Sequence, residues 1–289
     1  MALIFRTLTA LDDDIETANV LLVSVYETPR SRAAELRRAL ALQPDGWWLV
    51  ERDGETVGVG GAVDYGPFAS VGLMAVRSDL QRQGVGAALL HHILGWLDAR
   101  GCPSAILSAT DAGAALYRAH GFLDDGRIVV YGWGERDDRT PPTIMGEDVV
   151  VVVRLGRDEL AATARFDAAI FGADRGSLLE AAYDDDPTRA FLARNAAGAI
   201  VGFLFAQQRI LGPYCAATPA AASALLKGAR ALHYEDGPIA IVHDGNTAAD
   251  VVMRRHGLTA RGGLAAMRRG PAPRRDPAKL YGEAAWALG

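Results

Sequence analysis

Cysteine is scarce in this sequence, with Cys102 and Cys215 the only two among 289 residues. Two thiols are too few for a disulfide framework or for a zinc site built on cysteine, so we expect plain buried thiols in a reducing cytoplasm.

His91 and His92 follow each other on a predicted helix. Adjacent helical residues do not face one point, so no metal site is expected.

An excess of positive charge is also lacking. Thirty Lys and Arg stand against 35 Asp and Glu, a net charge of -5, and the basic residues are scattered. Nucleic acid is therefore not an expected partner.

The longest apolar runs, such as residues 199–206, are shorter than the roughly 20 residues that span a bilayer. The first residues reach an acidic cluster too soon for a signal peptide. We expect a cytoplasmic protein with no membrane partner.

The chain is rich enough in apolar residues to build two cores. Half of its residues are hydrophobic and 22% are charged, which is a globular balance. A chain of 289 residues fits two domains of roughly 100 to 200 residues each. The polar segment 135–143 contains Pro141-Pro142 and is typical of a linker. We therefore predict domains at 1–138 and 139–289.

Hydrophobic periodicity predicts the same order of elements in both halves. The first half is predicted to contain a strand at 3–8, helices near 12–26 and 31–42, a hairpin at 46–66, a strand at 68–76, a helix from the glycines to 101, a strand at 104–110, a helix at 111–120 and a strand at 128–134. The second is predicted to contain a strand at 149–155, helices near 157–171 and 174–183, and a hairpin at 189–208. Because LYRAHGF (116–122) also matches VMRRHGL (252–258), the chain is predicted to contain one fold twice.

The segment LQRQGVGAALL, residues 80–90, places two glycines at the start of an amphipathic helix. Free N–H groups and the positive end of the helix dipole make such a turn a candidate anion site, and glycine allows close approach. A dinucleotide fingerprint would need Gly or Ala where Leu89 stands, and the Gly-Lys-Ser/Thr of a nucleotide loop is absent. The pyrophosphate of coenzyme A remains, with a plain tight turn as the alternative.

The first half resembles the GNAT N-acetyltransferases. Gln81, Gly84 and Gly86 fit that family's Gln/Arg-x-x-Gly-x-Gly/Ala pattern, and residues 108–122, SATDAGAALYRAHGF, are similar to its strand and helix that end in a Tyr and a Gly-aromatic pair. The resemblance implies an α+β fold of two tandem GNAT-like (acyl-CoA N-acyltransferase) domains. Each would be a mixed, mostly antiparallel sheet flanked by helices. It also implies transfer of an acetyl group from acetyl-CoA, the cosubstrate, to a primary amine by direct attack.

The same resemblance supplies the candidate site. It implies that Tyr117 provides a proton or hydrogen bond to the departing thiolate, the alternative being a tyrosine packed on a helix face. No general base is assigned, although Asp64 and Glu27 are candidates by rough position. The expected coenzyme contacts come from the end of the strand 68–76, from the glycine turn with the start of its helix, and from the end of the strand 104–110. They are Ala75, Val76, Gln81, Arg82, Gln83, Gly84, Val85, Gly86, Ala87 and Thr110.

The second half resembles the degenerate C-terminal domain of tandem YitH-like acetyltransferases. Its strand LGPYCA (211–216) leads to a helix with Thr218 as predicted N-cap and Pro219 at the first position, so the glycine turn is missing. Met253 stands in the place of the tyrosine. We expect this half not to bind acetyl-CoA and to shape the acceptor cleft or the interdomain packing, with a docked C-terminal tail.

The acceptor stays open at this stage. A polyamine, an amino sugar, an amino acid and a protein lysine all fit, because acceptor pockets are built from loops without a fixed signature. A non-catalytic acetyl-CoA sensor or assembly module is the alternative function. The sequence predicts no oligomeric state.

Overall fold

A computed structural model describes residues 2–133 and 149–289, and these form two compact units. The first unit contains the chain up to Asp124 together with Met267–Pro273 and Trp286–Gly289, and the second contains Asp125–Ala266 and Arg274–Ala285. Each unit therefore includes segments from the other half of the sequence. The predicted linker at 135–143, and with it the predicted boundary after residue 138, lies outside the described residues.

The first unit alternates strands and helices in the predicted order. Its elements are β1 (Ile4–Thr7), α1 (Asp12–Val25), α2 (Ala33–Leu42), β2 (Trp47–Arg52), β3 (Glu55–Asp64), β4 (Ala69–Val76), α3 (Val85–Ala99), β5 (Ala105–Ala109) and α4 (Asp111–Ala119).

The sheet of the first unit has the order β1-β2-β3-β4-β5. Neighbouring strands from β1 to β4 are antiparallel, and β4 pairs with β5 in parallel. Asp53 and Gly54 both have positive φ and form the predicted hairpin turn between β2 and β3. Residues 267–269 also belong to this unit, where the Ser104 hydroxyl donates to the Arg269 carbonyl over 3.1 Å.

Helix α3 buries the predicted apolar stripe. Leu90, Ile93, Leu94 and Leu97 are all less than a tenth exposed. Their spacing of three and four residues puts them on one helical face, which explains why the sheet-facing side of α3 could be predicted. His92 of α3 also contacts the sheet, where its ring stacks on that of Phe5 in β1 with centroids 4.6 Å apart. The stripe fixes the orientation of α3, and therefore of its first turn.

The second unit repeats this order. Its elements are β6 (Leu123–Trp133, shared at its start with the first unit), β7 (Val151–Arg154), α5 (Leu160–Phe171), α6 (Gly176–Asp185), β8 (Ala190–Arg194), β9 (Ile200–Ala206), β10 (Leu211–Ala216), α7 (Pro219–Arg230), β11 (Ile239–His243), α8 (Ala249–Arg255), β12 (Leu258–Arg269, shared at its end with the first unit) and β13 (Leu280–Gly282).

The strands of the second unit form a sheet of order β13-β10-β9-β8-β7, in which every neighbouring pair is antiparallel. Strand β6 pairs antiparallel with β11, with Val130 opposite Ile241. The core between α5 and this sheet contains an ion pair in which Arg175 and Asp167 are both fully buried. With helices flanking both sheets, the predicted α+β class with mixed, mostly antiparallel sheets is confirmed.

Both cysteines are free thiols; Cys215 is buried and Cys102 is partly exposed. Burial raises the pKa of Cys102 to about 11. Within the described ranges, no cluster of His, Cys, Asp and Glu could hold a metal ion. Over the same ranges, no helix is long and apolar enough to cross a bilayer.

His256, which follows α8, gives a prediction on acid stability. Burial lowers its pKa from 6.5 to about 4, and its Nε2 lies 2.8 Å from the Ser223 hydroxyl. Below pH 6.5 the unfolded chain therefore takes up a proton that the folded chain refuses, so stability falls as pH drops towards 4. We expect His256→Gln to make this fall shallower, by at most about 1.4 kcal/mol per pH unit.

The measurement is urea denaturation of wild type and His256→Gln at a series of pH values. Above pH 7 the two free energies of unfolding should differ by a constant amount, since His256 is then neutral in both states. Parallel curves down to pH 4 would contradict the prediction.

Candidate functional site

Among the described residues, strand β4 has no strand partner along one edge over most of its length. It pairs with β3 from Ala69 to Val76, but with β5 only at Ala69 and Ser70. Beyond Ser70 the two parallel strands separate, so one edge of residues 71–76 offers backbone N–H and C=O groups to a ligand. An extended ligand can hydrogen-bond to such an edge as an added strand would. Ala75 and Val76, predicted to contact the coenzyme, lie on this segment.

A bulge reshapes the same part of β4. Gly61 pairs with Gly72 and Val59 with Ala75, so β4 carries one residue more than β3 between these pairs. Leu73 lies in the bulge with φ of 51°, a left-handed conformation that is costly for a branched side chain. Strain of this kind is concentrated at functional sites, and here it turns the backbone around Met74.

Strand β4 leads into the glycine turn. Gly84 is the N-cap of α3 in the left-handed conformation with φ of 88°, and no side chain caps this end. The first intrahelical bond is donated by Ala88 to the Gly84 carbonyl over 2.9 Å. The N–H groups of the first turn, from Val85 to Ala87, therefore have no intrahelical acceptor. With the helix dipole they have the features that an anion site requires, so the predicted site keeps its structural basis.

The polar side chains of the turn have two different roles in the structure. The Gln81 amide donates to the Val76 carbonyl over 3.0 Å, and the Gln83 amide donates to the Asp79 carbonyl over 2.9 Å. These bonds hold the loop in shape. Arg82 is exposed and has φ of 60°. Among the described residues, none accepts a hydrogen bond from its guanidinium. The positive charge of Arg82 therefore lies on the surface next to the glycine turn.

Tyr117 lies on α4, which follows β5. Thr110 is the N-cap of α4, and its hydroxyl accepts a hydrogen bond from the Gly113 N–H over 3.1 Å. The Tyr117 ring packs edge-on against Phe122 at 5.7 Å and is 8% exposed. Burial raises the pKa of Tyr117 to about 12, so the phenol stays protonated at neutral pH. A protonated phenol can donate to a developing thiolate.

Sequence reasoning missed Tyr26, at the end of α1. Its hydroxyl donates to the Met74 carbonyl over 3.2 Å, which places it on the bulge of β4. Desolvation raises the pKa of Tyr26, and the nearby Tyr117 phenol and Glu35 carboxylate raise it further by their charge. Tyr26 thus lies against the bulge of β4. No local pattern marks Tyr26, since the contact joins residues 48 positions apart.

The last residues of the chain lie against the same strand of the first unit. A Cβ on Gly72 would come within 2.3 Å of the Ala287 Cβ, so only glycine permits this approach. The Tyr65 hydroxyl donates to the Leu288 carbonyl over 2.7 Å. Residues 286–289 therefore border the point where β4 leaves β5; the sequence predicts a docked tail but not this position.

The two base candidates lie in different surroundings. Asp64 accepts hydrogen bonds from the Gly66 N–H at 2.8 Å and from the Arg100 guanidinium at 3.0 Å. It ends β3 opposite Ala69, at the far end of β4 from the glycine turn. Glu27 is exposed and directly follows Tyr26. Asp64 therefore stabilises a turn, and only Glu27 is next to the residues described above.

The corresponding place in the second unit is built differently. Thr218 caps α7 as predicted, with its hydroxyl accepting from the Ala221 N–H over 3.2 Å, and Pro219 has no N–H to offer. Among the described residues, the two chains around β10 and β11 run parallel at a single bridge. It joins Ile210, just before β10, to Ile239 at the start of β11. Met253 is fully buried on α8.

Strand β13 fills the gap between β10 and β11. It pairs antiparallel with β10, with Tyr214 opposite Gly282, and the Glu283 N–H donates to the Ile241 carbonyl over 2.9 Å. The edge that is open on β4 in the first unit is thus covered in the second by the chain itself.

Family models match both halves of the chain. The model of the Acetyltransferase (GNAT) family matches residues 11–122, and that of an Acetyltransferase (GNAT) domain matches residues 163–282. No curated protein matches the chain.

Solved structures resemble the chain over nearly its whole length. A Pyrococcus horikoshii protein described as a candidate acetyltransferase is 27% identical, with a TM-score of 0.82 over 99% of this chain and 96% of that one. A GCN5-related N-acetyltransferase from Sphaerobacter thermophilus is 19% identical, with a TM-score of 0.68 over 97% and 98% of the two chains. A tandem GNAT protein from the clavulanic acid biosynthesis pathway is 15% identical, with a TM-score of 0.60 over 94% and 100%. The last two show the fold alone.

Proposed function

Since this chain belongs to the GNAT acetyltransferase family, with one such domain in each half, we propose that it transfers an acetyl group from acetyl-CoA to a primary amine. The observation that carries the proposal is the open edge of β4, which leads directly to the uncapped first turn of α3. An extended ligand with a pyrophosphate at one end fits a strand edge followed by an anion site.

In this proposal the first turn of α3 binds the pyrophosphate. Backbone N–H groups of Gln83, Gly84, Val85, Gly86 and Ala87 donate to its oxygens, Arg82 adds a charge-assisted contact, and Gln81 keeps the loop in place. Ala75 and Val76 pair with the pantetheine arm. Thr110 fixes the start of α4 and so the position of Tyr117 relative to the arm.

The chemistry is a direct attack. An acceptor that binds as an ammonium first loses a proton to solvent. The neutral amine nitrogen then forms a bond to the thioester carbonyl carbon, and a β4 N–H stabilises the oxyanion. As the tetrahedral intermediate collapses, the C–S bond breaks and the nitrogen loses its extra proton to water. Tyr117 donates a hydrogen bond or a proton to the leaving sulfur. Its raised pKa supports this role because the phenol is still protonated when the sulfur departs.

We further propose that the second unit does not bind the coenzyme. Three features support this. The Ala221 N–H in the first turn of α7 already donates to the Thr218 hydroxyl, and β13 covers the edge of β10. Met253, at the position that corresponds to Tyr117, has no proton to donate. The unit then contributes to the acceptor side or to packing.

Calorimetry tests whether the first unit binds the coenzyme and the second does not. We expect one equivalent of CoA to bind per chain, because among the described helices only α3 offers uncapped N–H groups next to an open strand edge. Thr218→Ala, which frees the Ala221 N–H, should leave the stoichiometry at one since β13 still covers β10. A second equivalent in wild type would contradict the proposal.

The test of the activity is thiol release from acetyl-CoA in the presence of a panel of primary amines. Acceptor-dependent release supports an enzyme, and mass spectrometry of a cell extract incubated with labelled acetyl-CoA would then identify the acceptor. Binding of acetyl-CoA without release for any amine would favour the alternative of a sensor or assembly module. A phenol at Tyr117 that stays protonated at neutral pH favours the enzyme, because it can donate to the leaving sulfur.

A further inference from the structure

Glu35, in the first turn of α2, uses only one of its two carboxylate oxygens. Its Oε2 accepts a hydrogen bond from the Arg32 guanidinium over 2.9 Å. Its Oε1 is buried and has no hydrogen-bond partner among the described residues. The side chain as a whole is 13% exposed. The Arg32 Nε of the same ion pair is also buried without a hydrogen-bond partner among the described residues. A buried carboxylate oxygen that is left unpaired costs free energy, so Oε1 gains by accepting a hydrogen bond from a bound donor.

The surroundings of Glu35 point to that partner. The Arg32 guanidinium lies 5.6 Å from the centroid of the Tyr26 ring, so the ion pair packs beside Tyr26. Tyr26 in turn binds the Met74 carbonyl, and its phenol is close enough to Glu35 and Tyr117 for their charges to affect it. Glu35 is therefore linked to the β4 bulge through Arg32 and Tyr26, and the proposed acetyl donor would lie along that strand.

The loop before α2 is fixed, so this arrangement is not accidental. The buried Asn19 of α1 accepts hydrogen bonds from the Arg32 N–H at 2.7 Å and from the Ser31 hydroxyl at 3.1 Å. These bonds anchor the start of α2 to α1. Glu35 is thereby held on the side of α2 that faces Tyr26.

We propose that the Oε1 atom of Glu35 binds the ammonium group of the amine acceptor. This inference rests on the proposed function and adds the residue that selects a cationic acceptor. An ammonium carries three donors and a full charge, which satisfies a buried carboxylate oxygen better than a neutral amine or a hydroxyl does. Arg32 neutralises only the other oxygen and keeps the carboxylate in place.

The experiment measures steady-state kinetics of Glu35→Gln with n-butylamine, cadaverine, spermidine, lysine and glucosamine as acceptors. We expect the KM of each amine used by wild type to rise about tenfold to a hundredfold, since a hydrogen bond between charged groups is lost. The KM of acetyl-CoA should stay within about twofold, because Glu35 is not part of the glycine turn.

Glu16→Gln is the matched control, since Glu16 is an exposed carboxylate on the neighbouring helix α1. It should change neither KM. Thermal unfolding checks that both variants are folded, and the glutamine side chain of Glu35→Gln keeps an oxygen that can accept a hydrogen bond from Arg32.

The outcomes separate the two proposals. Wild type that turns over an amine, with the same amine KM in Glu35→Gln, overturns the role of Glu35 and leaves the enzymatic function standing. Wild type that uses none of these amines overturns both. A rise in the KM of acetyl-CoA equal to that of the amine would show a structural effect and would also overturn the inference.

Discussion

Gly86→Asp is expected to lower the affinity for CoA by at least about a hundredfold. Gly86 is the second residue of α3, in the turn whose N–H groups have no intrahelical acceptor. A carboxylate there takes the place of the pyrophosphate and repels its charge. Loss of two or three hydrogen bonds to a charged ligand, each contributing about 1.5 to 3 kcal/mol, accounts for the size of the effect.

The substitution should leave the fold intact. A Cβ on Gly86 would be 3.5 Å from a Leu116 methyl and 3.6 Å from a Val76 methyl, which are ordinary contacts. An acidic residue in the first turn of a helix is also favourable with the helix dipole. Any loss of binding can then be assigned to the site.

Gly95→Asp on the same helix is the control. Gly95 is exposed, and a Cβ there has no neighbour within 4 Å. It makes the same chemical change away from the turn, so the calorimetric Kd for CoA should stay within about twofold. Equal affinity of wild type and Gly86→Asp for CoA would show that the glycine turn does not bind the pyrophosphate, and the proposed coenzyme site would be wrong.

Local patterns made most of the fold predictable. The stripe from Leu90 to Leu97 follows from helical periodicity, and the cap at Thr218 follows from the side chains that satisfy helix N–H groups. Asp53-Gly54 marks a hairpin because both residues tolerate positive φ. Each of these signals lies within a few residues of the structure it specifies.

The features that complete the site depend on contacts between distant residues. Leu73 is a residue type for which positive φ is costly, so its bulge is imposed by the pairing of β4 with β3. Tyr26 is placed on the Met74 carbonyl, and Arg32 beside the Tyr26 ring, by tertiary packing alone. The pairing of Tyr214 with Gly282 joins β10 to a strand formed much later in the chain.

Tyr117→Phe is expected to lower kcat by about a hundredfold to a thousandfold while the Kd for acetyl-CoA changes by less than about twofold. The phenol contributes a donor to the leaving sulfur, and phenylalanine keeps the ring but removes that donor. The ring packing against Phe122 is retained, so the fold should survive. Among the described residues, none accepts a hydrogen bond from the Tyr117 hydroxyl, so its removal leaves no protein partner unpaired.

Tyr131→Phe provides the comparison, because burial raises the pKa of Tyr131 to about 12 as well, but this residue belongs to the second unit. It should have wild-type kcat. Stopped-flow measurement of thiol release at saturating acetyl-CoA separates the chemical step from product release. If Tyr117→Phe retained the wild-type rate there, another group must protonate the sulfur, and the nearby Tyr26 hydroxyl would be tested next as Tyr26→Phe.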